Sequence, residues 1–533
     1  MIQQNRVGAG KYLSTTLSLL IRNADIIDGS GNPTYRGDIA IEKDRIVDIG
    51  HFPHVTADLD IDATGKAVCP GFIDVHSHSE LAMLAGNHTA GVLMGVTSEF
   101  TCPDGFCFAP LPRERLNQYR HYLYGIYGDA DIGWDWSRFG DYLNHFEGNV
   151  FNNVAAQVPH GAVRLAVMGW GSNPHSPKEL DAMRQLTREC MEAGALGLNA
   201  GLDYSPAAHA GLHELVELSK VVAQYGGVYA AHIRGYGPDE RETAIRETIT
   251  IAEEAGIGVH ISHFFGTPDI YASMEAAHAR GIDITFDAYP YTAGSTFLTI
   301  VLPRTLMTSD FGKFLETLKT NEIKQMVGRA FERNIPEDHP AYFAYLDKPH
   351  NKWMEGKRVR DTWRNSGKTF GDYLCDLILD EGIAPLLIFP WPGGSQENDE
   401  ILLNTLTHPL HMVSTDGIYI GGSPHPRGWG TYPRIVGQYV REKGWLTLED
   451  AIRRMTGFPA KRFGLHDRGL VKKGMMADLV IFDAMTIKDM ATFELPRLPP
   501  TGIEYVFVNG IPVVERGMLN ADRRPGRLLR LHD

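Results

Sequence analysis

Cysteine is scarce in this chain: five residues in 533, Cys69, Cys102, Cys107, Cys190 and Cys375, with no paired spacing. That excludes a disulfide-stapled scaffold and points to a reducing compartment, the cytoplasm. No apolar run approaches the ~20 residues needed to span a bilayer. The apolar stretch from Leu17 to Ile21 is too short for an export signal and runs on into Asn23-Ala24-Asp25, where a strand continues. Basic residues are in deficit, 51 against 65 acidic ones, leaving a net charge of −14. That argues against nucleic acid or an anionic membrane as the main partner and leaves a small-molecule substrate. Low-complexity tracts and short-period repeats are absent as well. A hydrophobic share of 43% and a charged share of 22% suit a globular protein with a substantial core. The length exceeds one ordinary domain and fits a large barrel with a satellite.

Both ends of the chain read as short strands. Near the start these are Leu17–Asp28, Gly37–Glu42 and Arg45–Gly50; near the end they are Ala477–Asp483 and Val506–Val514. Apolar and polar residues alternate there, as in half-buried strands. The two ends predict one small β-sandwich domain, from residues 1–68 and 466–533, flanking a middle of 69–465. In that middle, apolar strands alternate with amphipathic helices such as Pro206–Tyr225 and Glu240–Ala255, the pattern of a parallel sheet. Strand candidates are Gly71–His78, Gly95–Gly105, Asn153–His160, Ala195–Tyr204, Gly227–Gly235, Gly258–Phe264, Gly281–Tyr291 and Pro409–Gly417. This count favours a closed (β/α)8 TIM-like barrel of the α/β class. A charged, aromatic-rich excursion at 303–402 precedes the last strand and reads as a lid or as a contact in a homo-oligomer.

Chemistry gathers at strand ends. In Gly71-Phe-Ile-Asp-Val-His-Ser-His, residues two apart on a strand project to one side, so His76 and His78 point together. His232 ends the fifth strand, His263 the sixth, and Asp416 the eighth. One strand-end histidine is more often structural than a ligand. A closed barrel, however, brings all these ends to one mouth, and four imidazoles with a carboxylate suit one or two divalent metal ions, zinc most readily. His260, three residues before His263, faces the other side of its strand and reads as structural.

With these residues the chain resembles the amidohydrolase superfamily and, within it, the D-aminoacylases or N-acyl-D-amino-acid deacylases. The similar stretches include Gly169-Trp-Gly, Ala193-Gly-Ala-Leu-Gly-Leu, Ala231-His-Ile-Arg, Ile261-Ser-His, Asp287-Ala-Tyr-Pro-Tyr-Thr-Ala-Gly-Ser, Ser414-Thr-Asp-Gly, His425-Pro-Arg-Gly-Trp-Gly-Thr-Tyr-Pro-Arg and Lys472-Lys-Gly-Met-Met-Ala-Asp-Leu-Val. The resemblance implies His76 and His78 as one metal pair and His232 and His263 as the other. It implies Asp416 as the group that takes a proton from metal-activated water and returns it to the leaving nitrogen. Tyr289, Ser295 and Arg427 match positions around the substrate, where an arginine would pair with a carboxylate; the plain alternative for Arg427 is a surface ion pair. His160 and Tyr204, after strands three and four, are expected at the same mouth, His160 polarising the scissile carbonyl or shaping the pocket.

Two departures stand out. Where many D-aminoacylases carry a metal-bridging cysteine, an ungapped alignment puts Asp104 of Cys102-Pro-Asp-Gly-Phe-Cys, with Cys102 and Cys107 close enough to compete. The fourth strand region, Ala195 to Tyr204, has no lysine, so the carboxylated-lysine bridge of other branches is not expected. Two residues after His263 the family often has a carboxylate-binding lysine; here it is Phe265, which carries neither charge nor donor. The expected activity is hydrolysis of an N-acyl D-amino acid or related acyclic amide. Opening of a cyclic amide or imide, as in hydantoinases and dihydroorotases, a deaminase, and a non-catalytic ligand-binding barrel are the alternatives.

Overall fold

The side chains of Leu19, Ile21, Ala24 and Ile26 meet those of Ile39, Ile41, Val68, Leu479 and Ile481 in a single apolar cluster, which draws the two ends of the chain together. The computed structural model describes residues 17–531 apart from 238, 303–305, 307–310 and 392–393. The first sixteen residues of the expected N-terminal segment and Pro303, the expected start of the excursion, lie outside the described residues. Nine strands from both ends form one hydrogen-bonded sheet. Leu479–Phe482 runs antiparallel to Ala67–Pro70, joining the late strands to the early ones. The sheet forks at Leu17–Ile26, which pairs along its first part with Ala57–Asp62 and along its last part with Ala67–Pro70. The strands of the expected small domain are hydrogen-bonded into this one sheet and share a core.

Within the eight expected spans lie parallel strands. They begin with Phe72–Asp74 and Val96–Thr101, followed by a third strand split at Gln157 into Asn153–Ala156 and Val158–Pro159. Next come Gly197–Gly201, Val228–His232, Gly258–Ile261, Ile284–Ala288 and His411–Val413. Each pairs with the next in chain order. The ring closes where Gly417–Ile418 pairs in parallel with Ser77–His78 and the Asp416 amide donates to the His76 carbonyl at 2.8 Å. Glycine is required at Gly201, because a Cβ there would stand 2.3 Å from the Asp104 carbonyl oxygen. The helices turn apolar faces to this barrel. In Pro177–Glu192, opened by a Ser176–Glu179 capping box, the buried residues Leu180, Met183, Thr187, Cys190 and Met191 recur at helical spacing.

Two segments differ from expectation. The excursion is bounded by Ala293–Phe297 and Leu386–Pro390, an antiparallel pair that Tyr342–Tyr345 joins, and it carries its own core around Phe314, Phe331, Phe343, Leu374 and Leu387. It therefore starts and ends earlier than its composition suggests. Ser395–Thr407 is the helix leading into the last barrel strand, its Leu402 and Leu406 buried in a cluster with Val413. At the C-terminus, Leu528–Leu529 leaves the small sheet and pairs with Asn153–Ala156, wedging into the barrel beside the split third strand. Among the described residues no helix is long and apolar enough to cross a membrane.

Candidate metal centre

Loops at the C-terminal strand ends turn sharply to aim their side chains inward. Cys102 (φ 63°), Asp104 (φ 55°), His263 (φ 35°) and Asp416 (φ 46°) all adopt the left-handed region, which costs a non-glycine residue of order 1–3 kcal/mol each. Strain of this kind persists where the surrounding structure imposes it. Here it brings two of the expected ligands, Asp104 and His263, and the expected proton carrier Asp416 to one point.

The Asp104 carboxylate lies at the middle of the group. Its oxygens stand 3.6 Å from His76 Nε2, 3.7 Å from His78 Nε2, 3.9 Å from His232 Nδ1 and 3.7 Å from His263 Nε2. Asp416 Oδ1 is 3.6 Å from His76 Nε2 and 3.4 Å from His78 Nε2. His232 Nδ1 faces His263 Nε2 at 3.1 Å. Two donors each ~2.1 Å from one ion at a tetrahedral angle would stand ~3.4 Å apart, so these spacings match ligands around a shared cation better than direct hydrogen bonds. Among the described residues His76 Nε2 and Asp104 Oδ1 are buried without a hydrogen-bond partner. Orphaned atoms of this kind, in a set of nitrogen and carboxylate donors, fit a divalent ion. Two overlapping triads offer ligand atoms within 4.8 Å of one another, His76, His78 and Asp416, and His76, Asp104 and His263. Asp104 also reaches His232, so it stands between both histidine pairs as a bridging ligand would.

The electrostatics agree. Burial raises the Asp104 pKa, but His76, His263 and His232 outweigh it and hold the carboxyl below the usual range. Burial pushes His76 down to about 4 against the pull of Asp104 and Asp416, leaving a neutral ligand. At His263 burial also lowers the pKa, yet Asp104 and Asp416 raise it to about 9. A cation bound at this imidazole would release its proton.

A second layer orients the rings, and the sequence reading did not identify it. Asp203 Oδ2 lies 3.1 Å from His232 Nε2, which turns Nδ1 toward Asp104. The Tyr127 hydroxyl is 3.2 Å from His78 Nδ1 and donates to Glu80 Oε1 at 3.3 Å. Asp287 accepts from the His263 amide at 3.0 Å and from Ser414 Oγ at 2.5 Å, and contacts His260 Nε2 at 2.8 Å. Asp74 accepts from the Thr415 amide at 2.9 Å and the His76 amide at 3.3 Å, tying the first strand to the eighth. His260, buried and held by Thr285 and Asp287, stays behind the centre. A signal for Asp287 and Asp203 was present, since each acid stands at or just past a barrel strand beside a residue already singled out, Tyr289 and Tyr204.

His78, Asp104, His232, His263 and Asp416 line the floor of a cavity of about 940 Å³, with Tyr204, Tyr289 and Ser295 on its walls. The Tyr204 hydroxyl is 3.1 Å from Thr296 Oγ1, and Ser295 Oγ has no partner among the described residues. Four expected positions lie elsewhere. His160 does not line the cavity: it opens the helix His160–Met168 rather than ending a strand, is fully buried, and contacts Glu214 at 2.8 Å. Arg427 is buried, its Nη1 2.8 Å from Asp416 Oδ2 and its guanidinium 4.4 Å from the Tyr289 ring, so it is not a surface ion pair, and its Nε has no hydrogen-bond partner among the described residues. Cys102 and Cys107 are buried in the core; the Cys102 amide donates to Glu80 at 2.6 Å and its thiol lies 3.9 Å from Thr101 Oγ1. Burial drives the Cys102 thiol pKa well up, which disfavours a thiolate ligand.

Comparison with known proteins agrees with this geometry. Residues 60–262 and 400–514 match the family described as Amidohydrolase family. The chain is 33% identical to a D-aminoacylase of Alcaligenes xylosoxydans xylosoxydans over 516 residues, 94% of this chain and 95% of that protein. It is 32% identical to the N-acyl-D-glutamate deacylase of the same organism over 523 residues, 96% of each chain. A solved structure, the N-acyl-D-glutamate deacylase of Bordetella bronchiseptica with zinc and a phosphonate mimic of the tetrahedral intermediate, superposes with a TM-score of 0.80 at 29% identity. The match covers 97% of this chain and all of that one, 100%. Its fold, its strand-end histidines and its relatives thus agree, and the chain belongs to the amidohydrolase family.

Proposed function

We propose that this amidohydrolase cleaves the C–N bond of an N-acyl D-amino acid or a related acyclic N-acyl compound, giving a carboxylate and an amine. The observation that carries the reading is the Asp416 carboxylate, lining the cavity within 3.6 Å of both His76 and His78 Nε2. A divalent ion, zinc by the nature of the donors, would be held by His76, His78, Asp104, His232 and His263, and when bound it acidifies water and polarises a carbonyl.

The remaining work falls to the chain. Burial opposes ionisation of Asp416, but Arg427, His263 and His78 keep its pKa below the usual carboxylate range. Ionised and lining the cavity, this carboxylate can accept a proton there. Asp416 therefore takes the proton of the attacking water and delivers it to the nitrogen as the C–N bond breaks. Burial keeps Tyr289 a neutral phenol, so it remains a donor at neutral pH. Its hydroxyl, with the unpartnered Ser295 Oγ, stabilises the developing oxyanion. The five cysteines are all buried free thiols, in keeping with action in the cytoplasm. Self-association through the insertion, which leaves Trp353 exposed, belongs to the same proposal.

The test is hydrolysis of N-acyl amino acids of both hands, alongside cyclic imides, before and after chelation. We expect turnover of the acyclic D-substrates, its loss with chelator and its return with zinc. Activity indifferent to chelation, or confined to cyclic imides, would contradict the proposal.

A further inference from the structure

The opposite end of the barrel carries a second cavity, of about 690 Å³, which shares no lining residue with the first. Asp283 and Ile284, where the seventh barrel strand begins, line it together with Leu410, just before the eighth. Gly29, Ser30, Leu470 and Met475, from loops next to strands of the small sheet, line it as well, so it lies between the barrel base and that sheet. Thr285 brings it to the barrel core, where the Thr285 hydroxyl meets His260 Nδ1 at 2.8 Å. The His260–Asp287 pair separates it from the metal ligand His263.

The charge of this cavity is opposite to that of the chain. Arg453, Lys461, Arg462 and Arg468 line it with one acid among the described residues, Asp283, in a protein of net charge −14. Carboxylates outside the cavity hold two of the arginines in place. Asp450 accepts from Arg453 Nε at 3.0 Å and Nη2 at 2.9 Å, and Arg468 pairs with Asp467 at 3.1 Å and Asp478 at 2.5 Å. Arg453 lies over the Phe458 ring at 5.0 Å, and its Nη1 has no hydrogen-bond partner among the described residues. Arg462 is buried, paired with Asp283 and donating to the Val259 carbonyl, while its Nε has no partner among the described residues. Lys461 is exposed and has no ion pair or hydrogen bond among the described residues.

Beside these cations stand the side chains of Leu410, Phe458, Leu465, Leu470 and Met475. A bare inorganic anion would pair with Lys461 and leave that apolar surface against water. A purely apolar molecule would cover the surface and strip water from unpaired cationic groups, at a cost in desolvation. We propose that this cavity is a second ligand site, for a small amphiphilic anion with a carboxylate or phosphate head on an apolar body. Lys461 and the free edge of Arg453 take the head, and the body lies along Phe458, Leu465, Leu470 and Met475. A volume of about 690 Å³ falls within the ~300–1,000 Å³ of small-molecule sites.

The test is calorimetric titration of the zinc-loaded full chain with octanoate, octyl phosphate, octanol and acetate. The better of the two amphiphilic anions should bind about tenfold more tightly than octanol, the scale of one charge-assisted hydrogen bond. It should also exceed acetate by at least about tenfold, through burial of its alkyl chain. Lys461→Gln should weaken that anion about tenfold, Lys461→Arg should keep its affinity, and Arg453→Gln should weaken it as well. These changes leave the metal centre intact, so any binding there persists in the variants and only the difference reports on this cavity. Lys461 is exposed and unpartnered among the described residues, so its variants should melt with wild type. The tighter of octanoate and octyl phosphate identifies the head group. Octanol binding as tightly as both anions, anion affinity unchanged in Lys461→Gln and Arg453→Gln, or binding of neither anion overturns the inference.

Discussion

Asp416→Asn should lower kcat by about 10²–10⁴-fold, the scale on which a positioned proton carrier contributes. The amide keeps the shape of the carboxylate but cannot accept and return a proton. The change has a structural cost as well, because Arg427 is buried with its Nη1 2.8 Å from Asp416 Oδ2. Removing that negative charge leaves a guanidinium uncompensated in the core, at about 3–5 kcal/mol of stability. The variant should therefore melt at a lower temperature, and turnover must be measured well below its transition. Metal content distinguishes the two roles of Asp416. His76, His78, Asp104, His232 and His263 are all retained, so zinc should remain close to wild type. Zinc lost in step with activity would make Asp416 chiefly a ligand.

Asp104→Ala should have the larger effect on metal. This carboxylate is within 3.9 Å of a nitrogen from each of the four histidines, and among the described residues no other acid touches both pairs. Even an outer-shell partner is worth 10–100-fold in affinity, so losing a shared ligand should cost at least ~10²-fold, with a fall in zinc per chain by elemental analysis. It also removes the charge that holds His263 up at about 9. Asp104→Cys should restore binding with a preference shifted toward softer ions. Unchanged zinc content in Asp104→Ala would remove Asp104 from the centre.

The parts of this architecture readable in the sequence are those governed by local periodicity. Gly71-Phe-Ile-Asp-Val-His-Ser-His states both a strand and the side its histidines face, and His232, His263 and Asp416 follow from the same rule at other strand ends. His160 was misplaced because Pro159 ends the strand and the next residue starts a helix, which turns the imidazole outward to Glu214. Asp74 and Tyr127 escaped because they reach Thr415 and His78 across 49 or more positions, a relation no local pattern encodes. The packing of Phe265 against Trp391 was half visible. Phe265 could be read directly, but Trp391 depends on how the insertion returns to the barrel. The insertion's limits were missed for a similar reason, since its first and last strands are defined only by pairing with each other.

The central claim is that four imidazoles and the Asp104 carboxylate, with no sulfur, gather a divalent cation at one rim of the barrel. X-ray absorption at the zinc edge of the loaded protein tests it directly. The account predicts a first shell of nitrogen and oxygen alone at ~2.0–2.2 Å. A sulfur scatterer at ~2.3 Å would move the ligand from Asp104 to a cysteine and contradict it.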